Sequence, residues 1–115
     1  MSRIFKGEIY LADLNPTIGS EIAKTRPVLI VSNDINNQYA ATVTIVPITS
    51  TTEKIYPFEV FLPKDEGSLT NDSKAKANQI RTIDKLRLKK RLGKINEETL
   101  KKIEKAILIH LEIEI

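Results

Sequence analysis

Cysteine is missing from all 115 residues of this chain. A disulfide framework, a thiolate metal site and a cysteine nucleophile are therefore all closed to it. Histidine occurs once, as His110, which leaves neither a histidine pair nor a metal cluster for hydrolytic chemistry. Also lacking are a Gly-rich phosphate loop, an HExxH pair, a nucleophile elbow and a carboxylate pair at metal-ligand spacing. No apolar run approaches the roughly 20 residues that a membrane helix needs, and no basic-then-apolar leader opens the chain. We expect a cytoplasmic protein with no membrane contact and no cofactor.

What is present suits a globular domain. At 41% hydrophobic and 29% charged residues, the chain has enough apolar surface for a core at this length without staples. One domain over residues 1–115 is expected. The net charge of +3 is polarised, because Lys74 to Lys105 holds 12 Lys/Arg against 4 Asp/Glu, making that stretch +8 and the remainder −5. A basic half points to an anionic partner such as nucleic acid, and equally to a solvated lysine face.

Gly7 to Leu14 reads as a strand that stops at the turn signal Asn15-Pro16. Thr17 to Thr25 has no apolar periodicity and reads as a mobile loop. Pro27 to Ser32 is a continuous apolar run, as expected for a strand covered on both faces, closed by Asn33-Asp34. Thr42 to Thr49 is β-branched almost throughout, and Pro47 implies an edge or bulge near its end. Pro57 to Leu62 alternates as a strand before a polar turn over Pro63 to Asp72. Lys74 to Ile83 alternates in a way that suits one further strand.

Asn96 with Glu97 and Glu98 marks a helix start, the acids lying where the macrodipole favours them. Leu100, Ile103, Ile107 and Leu111 then repeat at helical spacing. His110 lies beside that stripe and reads as a packing or interface residue. About five or six short strands and one packing helix imply a mainly β (α+β) fold, a small antiparallel barrel-like sheet with a C-terminal helix.

Several motifs in order resemble the MazF/PemK toxin family: Lys6-Gly7-Glu8-Ile9-Tyr10, Asn15-Pro16, Gly19-Ser20-Glu21 and Thr25-Arg26-Pro27-Val28-Leu29-Ile30-Val31. The likeness continues through Val46-Pro47-Ile48-Thr49-Ser50 and Gln79-Ile80-Arg81-Thr82-Ile83-Asp84, so it spans almost the whole chain. The resemblance implies an SH3-like barrel of the PemK/CcdB type and a homodimer that binds RNA along the subunit interface. It implies metal-independent cleavage of single-stranded RNA at short motifs, leaving 2′,3′-cyclic phosphate and 5′-hydroxyl ends. It matches Arg26 and Thr49 to the family's catalytic arginine and threonine, and places Glu21 in the loop that shapes the site. It also implies a cognate antitoxin whose acidic, disordered tail covers the RNA site.

The chemistry of such a cleavage fits those residue types. A guanidinium offers a charged, rigid fork of donors that matches phosphate oxygens. A hydroxyl at the end of a stiff strand adds a donor where negative charge builds. The structural reading of Arg26 is an ion pair with Glu21 or Asp34, and that of Thr49 is an ordinary strand former.

Ser20, Lys24, Lys54, Lys76 and Arg81 are candidate RNA contacts, because phosphate contacts dominate affinity. Asn78 and Gln79 could read exposed base edges, while Gln79 and Arg81 could instead stabilise a turn beside Asp84. Some relatives carry an acid where Asn78 stands, and Asn78 cannot act as a general base. Two other functions share the pattern, since fold alone does not fix function: a CcdB-like gyrase-binding toxin without nuclease activity, and a degenerate member that only binds RNA.

Overall fold

The computed structural model describes residues 3–114. Its strands and helices follow in the order β1 (Glu8–Asp13), β2 (Thr25–Ile30), α1 (Asp34–Tyr39), β3 (Thr42–Thr49), β4 (Glu59–Leu62), β5 (Ser73–Lys76), β6 (Arg81–Asp84), β7 (Leu88–Lys94) and α2 (Glu97–Leu111). Every pairing is antiparallel. The sheet runs β4-β5-β3-β2-β1-β7, and β6 also pairs with β3.

The β-branched strand β3 organises this sheet. One side pairs with β2, while the other pairs first with β6, over Thr42 to Ile45, and then with β5, at Ile48 and Thr49. Pro47 has no N–H for a ladder and falls in the gap between those two pairings. The irregularity expected from it therefore lies inside a central strand and not at an edge.

Both faces of the sheet are covered, which explains the unbroken apolar run in β2. Ile9, Leu29, Val46 and Ile48 pack with Ile103 and Ala106 of α2. The alternate residues Tyr10, Val28, Ile30, Val43 and Ile45 form a second cluster with Ile83 and Leu88. Period-2 alternation thus sorts two apolar sets onto opposite faces.

The outer strands β4 and β7 do not pair with each other among the described residues, so the barrel-like ladder is incomplete. A 3-10 turn at Glu66–Ser68 covers the gap. There Gly93 of β7 meets the Gly67 backbone so closely that a Cβ on residue 93 would stand 2.4 Å from the Gly67 oxygen.

Five expectations need correction. Asn33-Asp34 opens α1, with the Asn33 side chain accepting from Asn36 N, and does not simply close a strand. Buried Asn37 holds that helix by donating to Ser32 O at 2.8 Å. Lys74 to Ile83 is two strands separated by a 3-10 turn at Ala77–Gln79. β7 was not anticipated, because its burial does not alternate and its pairing with β1 is interrupted by register shifts. The β1–β2 loop is tied down, through contacts described below. On α2, Asn96 caps as expected, accepting from Thr99 N at 2.8 Å; Ile103 is buried with Thr99 and Ala106 and Leu100 and Ile107 pack against the same cluster, so the apolar stripe departs from expectation only at its last member. Leu111 is exposed.

Candidate active site

The β2–β3 register pairs Ile30 with Ile45, Leu29 with Val46 and Val28 with Pro47. Arg26 and Thr49 each lie two residues beyond the Val28–Pro47 pair, toward the same end of the two strands. Both side chains line one cleft of about 360 Å³, whose walls include Pro27, Ser50, Asn71 and Leu92. Both residues are half-buried, close enough to solvent for a nucleotide to reach.

Arg26 is held at the root of its head group, with Nε donating to Ala23 O at 2.8 Å. No hydrogen bond is made by either terminal nitrogen among the described residues, and the fork is left for an outside oxyanion. The alternative ion pairs do not form. Glu21 accepts from Ile18 N at 2.6 Å, and Asp34 accepts from Lys6 N at 2.6 Å. The Thr49 hydroxyl accepts a long bond from Thr51 N at 3.4 Å, and its own hydrogen stays free to be donated.

The other candidates are spread around this cleft and do not converge on it. Glu21 is exposed and does not line the cleft; it closes its own Ile18–Glu21 turn. Lys24 has φ +70 and is exposed. Its backbone N–H donates to Asn15 Oδ1 at 3.1 Å, and its carbonyl accepts from Leu14 N at 3.0 Å. Ser20 is exposed, and its carbonyl accepts from Gln79 Nε2 at 3.2 Å. The same side chain accepts from Ile22 N at 2.9 Å, so Gln79 stabilises the β1–β2 loop and not a turn at Asp84. Asn78 Oδ1 is buried without a hydrogen-bond partner.

Arg81 donates to Leu14 O at 3.4 Å. Arg87, which sequence reasoning missed, donates to Asp13 O at 3.2 Å and to Asn15 O. Two arginines thus clamp the end of β1, and only the cluster of carbonyls at that turn, invisible in the sequence, specifies them. Lys54 lies over the Tyr56 ring, 4.7 Å from its centroid.

Lys76 is partly engaged, 3.7 Å from Glu59, whose other oxygen takes a 3.0 Å bond from buried Lys74. Burial pushes the Glu59 carboxyl up. The bonds from Tyr56 N and Lys74 and the charges of Lys74 and Lys76 outweigh it and hold the group below its ordinary value. His110 is exposed, with its ring tilted against Phe58 at 6.4 Å. Among the described residues no group of three or more acid, histidine or cysteine side chains could hold a metal ion. No described helix is long and apolar enough to cross a membrane.

The antiparallel sheet backed by a C-terminal helix is an architecture shared with solved structures of small toxins. The crystal structure of MazF from Deinococcus radiodurans has this fold, with a TM-score of 0.85 at 24% identity over 97% of this chain and 99% of that one. An endoribonuclease in complex with its cognate antitoxin, from a mycobacterial species, superposes with a TM-score of 0.80 at 28% identity, covering 97% of this chain and 98% of that one. Endoribonuclease MazF9 of Mycobacterium tuberculosis (strain ATCC 25618 / H37Rv) is 39% identical across 94% of this chain and 96% of its own length. The family model for PemK-like, MazF-like toxins of type II toxin-antitoxin systems matches residues 5–111, and the chain belongs to that family.

Proposed function

We propose that this protein is an endoribonuclease toxin that cuts single-stranded RNA at short motifs in the cleft between Arg26 and Thr49. The observation that carries the reading is a guanidinium with free terminal nitrogens and a free hydroxyl donor lining one open cleft. Family membership supports it, as do relatives named as endoribonucleases. The gyrase-binding alternative has no comparable support.

In this reaction the 2′-oxygen attacks the adjacent phosphorus and gives up its proton, while the 5′-oxygen leaves and takes one. The products are a 2′,3′-cyclic phosphate and a 5′-hydroxyl. Arg26 receives the phosphoryl oxygens, and the Thr49 hydroxyl donates to the same group as charge builds. Glu21 shapes the loop through its turn with Ile18. Ser20, Lys24, Lys54, Lys76, Asn78 and Arg81 form the surrounding RNA-contact set, of which Lys24 and Lys54 are the freest to reach a phosphate.

The protein acts in the cytoplasm as a homodimer on messenger RNA, and an antitoxin with an acidic tail restrains it. The +8 stretch gives that tail an electrostatic target. Incubating the purified protein with a long single-stranded RNA in EDTA and mapping the new 5′ ends is the test. Cuts at a recurring motif with 5′-hydroxyl ends are expected. Intact RNA, or cutting only after magnesium is added, overturns the proposal.

A further inference from the structure

We infer that Gln79 is a positioning residue, whose amide latches the β1–β2 loop and thereby aims the Arg26 guanidinium; the inference rests on the nuclease reading above. Gln79 sits in the 3-10 turn between β5 and β6, which is closed by Ile80 N donating to Ala77 O at 3.2 Å. From there its side chain crosses to a segment 57 residues earlier in the chain. Its Oε1 accepts from Ile22 N at 2.9 Å and its Nε2 donates to Ser20 O at 3.2 Å.

The rest of the loop is held at its ends. Leu14 N donates to Lys24 O and Lys24 N to Asn15 Oδ1, both beside the end of β1, and Glu21 bonds only to Ile18 within the loop. Residues 20 to 22 are therefore tied to the sheet by the Gln79 amide, together with the Ile22 side chain, which packs against the second apolar cluster. Ala23 follows directly, and its carbonyl is the acceptor that fixes Arg26 Nε at 2.8 Å. The connection runs from Gln79 to Ile22 N, along the backbone of Ile22 and Ala23 to Ala23 O, and on to the guanidinium.

Each end of the Gln79 amide is engaged once, and the side chain is half-buried. A base edge would have to meet the remaining N–H or lone pair while the loop stays attached to the others. Without the latch the Ala23–Lys24 peptide is held only on its Lys24 side, through Asn15 Oδ1, and the carbonyl that orients Arg26 is fixed less tightly. Binding through the lysines is untouched. A misplaced group in a reacting geometry costs about 100-fold in rate, so kcat carries the loss and KM does not.

The test is steady-state cleavage of an RNA oligonucleotide by wild type, Gln79→Ala and Gln79→Glu, with 5′-end mapping, thermal unfolding and amide exchange at Ile22. For Gln79→Ala, kcat should fall about 10- to 100-fold, with KM within about threefold, the cut motif unchanged and Ile22 exchange faster. Gln79→Glu keeps the acceptor for Ile22 N and loses the donor to Ser20 O, so it should recover part of the rate and of the protection. A raised KM or a broadened motif at unchanged kcat makes Gln79 a base reader and overturns the inference. A rate that falls only in proportion to the folded fraction also overturns it. Should wild type cut no RNA, the nuclease reading fails by itself, and the latch still stands or falls on Ile22 exchange.

Discussion

Arg26 near the start of β2 and Thr49 at the end of β3 each lie two residues beyond the Val28–Pro47 pair, and the two share one cleft. The residues that align them are the apolar pairs further along, Val28 with Pro47 and Leu29 with Val46. Because side chains alternate along a strand, a slip of one residue would send one of these two side chains to the other face. Core packing therefore sets the geometry of the site.

The first prediction is that the two groups fail in different ways under conservative change. Arg26→Lys keeps the charge but loses the fork and the Nε bond to Ala23 O, and should lose about 100- to 1,000-fold in kcat, near the effect of Arg26→Ala. Thr49→Ser keeps the hydroxyl and should retain most activity, whereas Thr49→Val should not. Single-turnover cleavage reads all four variants. An active Arg26→Lys would mean that charge alone suffices.

A second prediction concerns the gap between β4 and β7. A methyl at Gly93 would press on the Gly67 carbonyl, and a Cβ at Gly67 would stand 2.4 Å from Ile9 Cδ1 at a φ of +57. Gly93→Ala and Gly67→Ala should each destabilise the fold by about 1–3 kcal/mol, measured by urea unfolding. If Gly93→Ala unfolds at the wild-type midpoint, the contact between the covering turn and β7 does not hold the sheet.

Much of this architecture was readable because its signals are local. Asn96 capped α2 as its sequence implied, and the β-branched run over Thr42 to Thr49 was a strand with the expected bounds. What was missed lacks a local period. β7 carries three consecutive basic residues, Lys89, Lys90 and Arg91, all exposed, and no alternation survives in it. α1 is six residues long, and its buried member is Asn37, which polarity assigns to a turn. Alternation through Ala75, Ala77, Gln79 and Arg81 ran on across a 3-10 turn that breaks the strand. In the site, Arg26 and Thr49 were identified by resemblance, whereas the contacts of Gln79 and Arg87 join segments far apart in the chain. No spacing in the sequence encodes them.

A third prediction follows from Glu59, whose carboxyl is held below its ordinary value of 4.5 by its partners despite burial. A lowered folded-state value means that the carboxylate's stabilisation is complete above 4.5 and is lost as pH falls through that lower value. Glu59→Gln removes this acid limb and leaves Lys74 buried without its counter-charge, which costs about 3–5 kcal/mol. Urea midpoints across pH 2–7 check it. Equal acid sensitivity in both proteins would show that other carboxylates dominate.

The last prediction separates lysines by their partners. Each phosphate contact to a single strand contributes about 0.7 to the slope of log affinity against log salt. Lys24 is exposed and makes no ion pair among the described residues, so Lys24→Ala should flatten the slope by about that amount. Lys76 lies 3.7 Å from Glu59, and an RNA phosphate would have to compete with a carboxylate already in place. Lys76→Ala should therefore change the slope by well under half as much while lowering stability. Titrating a non-cleavable RNA, with a 2′-deoxy sugar at the cut site, over a range of salt gives both slopes. Equal changes would mean that Lys76 leaves Glu59 when RNA binds, and that Glu59 then relies on Lys74 alone.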